Sequence, residues 1–159
     1  MQVEYINPFI RSMTKTFDTM LGCEIKRGSL ILASDFKANY DICGVIGLSG
    51  RAQGVVVVNL SRDVAMQAAA TMLMMDPSEV TDLNEDVIDA VGEIANMVAG
   101  AAKAELDEFE LSISLPNVVV GAPPDIRFPS EVHAIAIPFE CPWGAMSIKV
   151  GFTPCSVPA

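Results

Sequence analysis

The sequence has one histidine and four cysteines, and no two of the cysteines are spaced as C-x-x-C. Cys23, Cys43, Cys141 and Cys155 are irregularly placed. That argues against a disulfide framework or a zinc site and suits free thiols in a reducing compartment. Basic residues are also few, 10 Lys and Arg against 20 Asp and Glu, for a net charge of −10. They are scattered from Arg11 to Lys149 without forming a stripe, so no nucleic-acid or membrane partner is expected. No apolar run approaches the ~20 residues needed to cross a bilayer. The opening MQVEYINPFI lacks the charged start and apolar run of a signal peptide, and a cytoplasmic location is expected. GLSG at 47–50 has neither the spacing nor the following Lys of a phosphate-cradling loop, and no G-x-S-x-G occurs. His133, in the alternating segment EVHAIAIPF, has no evident catalytic partner and reads as structural.

What is present is material for a core. Hydrophobic residues make up 51% of 159, enough for one domain spanning 1–159. Residues 4–21 carry Ile6, Phe9, Ile10, Met13, Phe17, Met20 and Leu21 at helical spacing, with Gly22 as a stop. Pro8 should then lie in or before the first turn. GSLILAS at 28–34 is a strand candidate. Ile42–Leu48 and Gly54–Leu60 read as a hairpin across SGRAQ. Ser61 should cap an Ala- and Met-rich helix over about 62–75. That helix is apolar enough to be core rather than a binding groove. Three strand candidates follow a second long helix, at about 111–121, 131–139 and 144–152, with a Pro-rich loop over 121–129. The order helix, strand, strand, strand therefore occurs twice. The expected fold class is α+β, a single domain of antiparallel sheet packed with long helices and an internal duplication.

The second long helix, Asp82 to Leu106, carries the polar groups whose placement looks chosen. Asp82, Asp86, Asp89, Glu93, Asn96, Gly100 and Lys103 follow at alternating steps of four and three, so they share one face. Leu83, Val87, Val91, Ile94 and Val98 form an opposite apolar stripe. Asp82 with Glu85 resembles a capping box that begins the helix. Charge at helical spacing is ordinarily a solvated face. Here Gly92 and Gly100 flank Asn96 at minus four and plus four, and each mid-helix Gly costs about 1 kcal/mol against Ala. A face on which something docks closely over Asn96 explains them.

The chemistry of that face is limited. A row of carboxylates on one helix supplies too few ligands for a closed cation site, and no metal is expected. Glu93 and Asn96, at i and i+3, are neighbours about 5–6 Å apart at Cβ. Neither is a nucleophile. A carboxylate can anchor to a cation on a partner, and a carboxamide can orient a water in line with a bond about to break.

In context, Asp89-Ala-Val-Gly-Glu93-Ile-Ala-Asn96-Met-Val-Ala-Gly100 resembles the signature helix of the CheC/CheX/FliY family of chemotaxis phosphatases. The likeness extends to the opening helix, the GVIGLSGRAQGVVVV hairpin, the Ala/Met helix and a closing hairpin. With one such Glu-x-x-Asn helix, the chain looks closest to CheX. The resemblance implies removal of the phosphoryl group from the aspartate of a phosphorylated CheY-like response regulator. Glu93 would pair with a lysine of the regulator, and Asn96 would position the attacking water. Asp89, Gly92 and Gly100 would belong to the docking face. Mg²⁺ would reside in the regulator, with no cofactor in this chain, and the chain would be a homodimer. The alternative is a non-catalytic module that binds a regulator through the same helix. A second Glu-x-x-Asn, Glu4 to Asn7, lies on the first helix. It lacks the glycine pattern, and Asn7 before Pro8 suits a cap or first-turn residue.

Overall fold

The computed structural model describes residues 3–38, 40–121, 128 and 133–155. These form helices α1 (Val3–Leu21), α2 (Arg62–Met72) and α3 (Glu85–Ala104). The strands are β1 (Lys26–Arg27), β2 (Ile31–Leu32), β3 (Ile42–Ser49), β4 (Ala52–Leu60), β5 (Ser112–Ile113), β6 (Asn117–Val120), β7 (Ile135–Cys141) and β8 (Gly144–Pro154). They make one antiparallel sheet in the order β1-β7-β8-β4-β3-β5, with β2 also on β7 and β6 also on β3. The element order does repeat about α2, but as one helix and four strands in each run where three strands were expected. The two halves interlock. The short strands of each half pair with the long hairpin of the other, and β4 and β8 join the hairpins at the centre.

Alternation on the strands and 3.6-residue periodicity on the helices build the core. Val56, Val58 and Leu60 of β4 and Met146, Ile148 and Val150 of β8 bury one sheet face against Ile6, Phe9, Met13 and Phe17 of α1. On the other face Asn59 donates to the Ser147 hydroxyl at 3.2 Å. There Phe36 and Tyr40 stack, with the Lys149 ammonium over the Phe36 ring. α1 ends as expected: Gly22 is left-handed at φ +59°, and the amides of Gly22 and Cys23 return to Asp18 and Phe17.

Two contacts seat α3. A Cβ on Gly44 of β3 would lie 2.7 Å from Cβ of Ala95, so the helix rests on bare strand backbone. From the other side the buried Ser12 hydroxyl donates to the Val98 carbonyl at 2.6 Å and ties α1 to α3. The Arg11–Glu105 pair at 2.7 Å adds little, being half exposed on both sides.

Several expectations need correction. Pro8 falls in the second turn of a helix running from Val3, where only the bond to the carbonyl of residue 4 is lost. Asn7 is therefore inside α1 and is no cap. The strand expected at 28–34 shrinks to Ile31–Leu32, followed by a single 3₁₀ turn. The strand expected at about 111–121 is two, β5 and β6, separated by Ser114, Leu115 and Pro116. Ser61 does occupy the N-cap of α2, but its hydroxyl is buried without a partner among the described residues. The cap bond is supplied from a distance, by the Asp41 carboxylate accepting from the Arg62 amide at 2.7 Å. α3 begins at Glu85, with Asn84 capping the Val87 amide, so Asp82 and Glu85 make no capping box. Asp82 bonds the Leu83 amide and Arg62 instead. The Pro-rich loop over 121–129 and the start of the strand expected at 131 lie largely outside the described residues.

Gly44→Ala should cost about 1–3 kcal/mol, the usual range for overpacking, because Ala95 cannot retreat without moving α3. The urea midpoint measures it. Asp41→Ala should lower stability by about 1 kcal/mol through loss of the remote cap. Thermal unfolding measures this second effect.

Candidate functional site

The sequence of α3 explains its two sides. Asn84 caps it, Glu85 and Asp86 stand in the first turn and Lys103 in the last, all matched to the helix dipole. Val87, Val91, Ile94, Ala95, Val98, Ala99 and Ala102 are buried. Small residues dominate where the helix meets β3 and α1, so it lies close to both. The opposite face is open. Asp86, Asp89 and Glu93 are exposed, and Asn96 and Gly100 are half-buried.

Glu93 and Asn96 lie together on this face, as their spacing requires. Among the described residues neither side chain has a hydrogen-bond or ion-pair partner. Asp89, one turn before Glu93, extends the negative charge and is likewise unpaired among them. The two glycines differ. A Cβ on Gly100 would meet nothing within 4 Å, so the surface beside Asn96 is bare. Gly92 is buried, and a Cβ there would touch Val118 and Pro116 at 3.4 and 3.5 Å. Those are ordinary contact distances: Gly92 lies under the protein's own 116–118 segment and presents no surface to a partner. This corrects its expected place on the docking face.

The second Glu-x-x-Asn is placed differently. Glu4 and Asn7 are both exposed. However, Glu4 stands at the start of α1, whereas Glu93 stands about two turns into α3. Four residues after Asn7 comes Arg11, ion-paired to Glu105, where Asn96 has the open Gly100. Glu4 also shares a cleft of about 300 Å³ with Glu105 and Glu108. Burial, then Glu108 and Glu4, pushes the Tyr5 phenol in that cleft above its usual range. Arg11 lines the same cleft, so Glu4 faces three charged groups of its own chain there, whereas Glu93 stands on an open face.

Other reactive groups lie elsewhere. His133 is exposed two residues before β7, outside the strand expected to hold it. Burial, then the neighbouring Cys141 thiol, pushes the Cys23 thiol up to about 12, which leaves it a poor nucleophile. Asp76 is held below the usual carboxylate range by the amide and hydroxyl of Ser78, a local turn remote from α3. The 114–116 segment borders α3 through Pro116 and interrupts the strand expected at 111–121. Proline in the middle of an apparent strand was the available signal.

The arrangement can pair with a cation through Glu93 and donate or accept a hydrogen bond through Asn96. It holds no nucleophile and no phosphate cradle, so any reacting group must arrive on a partner.

Known proteins resemble the chain in sequence and fold. The family model described as chemotaxis phosphatase CheX matches residues 42–140. The CheY-P phosphatase CheX of Thermotoga maritima is 29% identical over 142 residues, 88% of this chain and 89% of that protein. The crystal structure of chemotaxis protein CheX from Vibrio vulnificus superposes with a TM-score of 0.84 at 34% identity, covering 94% of this chain and 99% of the other. A CheC-like superfamily protein from Shewanella sp. PV-4 gives 0.85 at 32% identity, covering 96% and 99%. With the fold and most of the length in common, the chain belongs to the chemotaxis phosphatase CheX family.

Proposed function

We propose that this chain accelerates loss of the phosphoryl group from the aspartate of a CheY-like response regulator. One observation carries the reading: Glu93 and Asn96 share an open helix face, unpaired within the described chain, beside the bare surface of Gly100. Glu93 anchors to a lysine near the regulator's phosphorylation site. Asn96 then enters that site and holds a water in line with the phosphorus. The water oxygen attacks phosphorus, the bond from phosphorus to the aspartate oxygen breaks, and inorganic phosphate leaves with the aspartate restored. Such catalysis is positioning plus electrostatics, for which an oriented amide suffices. The Mg²⁺ and the phosphoryl group are the regulator's, and this chain brings no cofactor of its own.

Family membership and the charge balance support the rest of the proposal. The protein acts in the cytoplasm, within chemotaxis or another two-component circuit, as a homodimer of twice 17.0 kDa. Light scattering tests the dimer.

Phosphate loss from a radiolabelled regulator, with and without the protein, tests the enzyme. Asn96→Ala should leave binding largely intact and lower kcat on the order of a hundredfold, about 3 kcal/mol. Glu93→Ala should also weaken binding. No acceleration by wild type over a panel of the host's regulators sinks the enzyme reading, and binding without acceleration leaves a sequestering module. Gly100→Leu should preserve the melting temperature yet block docking. Normal docking by that variant would refute the account of the bare surface.

A further inference from the structure

The segment Ser114-Leu115-Pro116, between β5 and β6, carries a leucine that is 89% exposed. A lone exposed leucine is ordinary. Three observations distinguish this one.

First, the segment is fixed. The Ser114 amide donates to the Gly47 carbonyl at 2.9 Å, and the Ser114 hydroxyl accepts from the Gly47 amide at 2.8 Å. That hydroxyl also donates to the carbonyl of Leu115 itself, at 2.9 Å. Pro116 rests against the bare surface of Gly92. A floppy loop loses entropy when it docks, but this one has been ordered by folding.

Second, the segment runs along α3 toward Asn96. β3 runs in the same sense as α3: Gly44 sits under Val91 and Ala95, and Ser49 pairs with Ser112 just beyond the helix end. Moving back from Pro116, beside Gly92, toward Ser114, beside Gly47, is therefore a move along α3 from Gly92 toward Gly100. Leu115 lies on the Asn96 side of Pro116.

Third, the outward face of α3 is polar or bare, and the apolar neighbours Ile113, Pro116 and Val118 of Leu115 are half-buried. Asp89 and Glu93 are exposed, and Gly100 has nothing within 4 Å of its would-be Cβ. A fixed apolar knob at the rim of a charged, recessed face has the makeup of an interface anchor.

We infer that Leu115 is a docking anchor that seats in an apolar recess of the phosphorylated receiver domain beside its phosphoryl site, while Asn96 enters the site itself. The inference rests on the proposed function. It assigns binding to Leu115 and leaves the chemistry to Asn96. Leu115 touches no reacting atom and acts by holding the partner in register.

The test is the kinetic split for Leu115→Ser. This variant should raise KM for the phosphorylated regulator about tenfold with kcat unchanged, and its melting temperature should match wild type. Leu115→Met should restore KM. Met74, 95% exposed after the end of α2, is the comparator, and Met74→Ser should leave KM unchanged. An unchanged KM in Leu115→Ser, or an equal rise in Met74→Ser, overturns the inference and leaves the phosphatase reading standing. Titration of wild type and Leu115→Ser against a beryllofluoride-treated regulator separates the two claims. Binding by wild type that is about tenfold weaker in the variant, without acceleration, sustains the anchor and removes the phosphatase. Equal binding by both, or none by wild type, overturns the anchor.

Discussion

The close seat of α3 on β3 is the contact on which the rest depends. At Gly44 the strand offers backbone where a side chain would stand, and Ala95 fills the gap. One residue of rotation turns a helix by about 100°, enough to swap Glu93 with a buried neighbour. The Gly44–Ala95 contact and the Ser12–Val98 hydrogen bond therefore decide which side of α3 faces out. β3 is in turn held on both edges, by β4 on one side and by β5 and β6 on the other. Because β5 and β6 come from the later half of the chain, the helix cannot be set until both halves have interlocked.

The face so presented is chemically incomplete. A carboxylate and a carboxamide with no partner are cheap to leave in water and costly to leave buried and unpaired. On the proposed function, their interactions wait for a partner that supplies a cation and a bond to cleave. α3 also carries two mid-helix glycines in different settings. Gly92 lies under Pro116 and Val118 at ordinary contact distance, and Gly100 leaves open surface. The helix carries them because its buried stripe is long and its ends are well capped.

Features set by local pattern could be read from the sequence. The α1 stripe, the two long hairpins and the face shared by Asp89, Glu93, Asn96 and Gly100 follow from periodicities of 3.6 and 2. Features set by distant residues could not. The cap of α2 comes from Asp41, just before the neighbouring strand β3 and 21 residues ahead of Arg62 in the chain, and not from Ser61 beside it. Gly92 looked like its counterpart Gly100 because spacing cannot show that β6 returns to cover one of them. The start of α3 slipped because Asn84 outcompetes Asp82, which is drawn toward Arg62. The break at Ser114-Leu115-Pro116 was hidden in an apolar run, although its proline marked it.

The most direct test of the central claim follows the side-chain amide of Asn96 by ¹⁵N resonance while a response regulator is added. The account predicts that this signal shifts when the regulator is beryllofluoride-activated and stays near its free position when the regulator is inactive. A resonance that never moves, while signals elsewhere on the surface report binding, would contradict it.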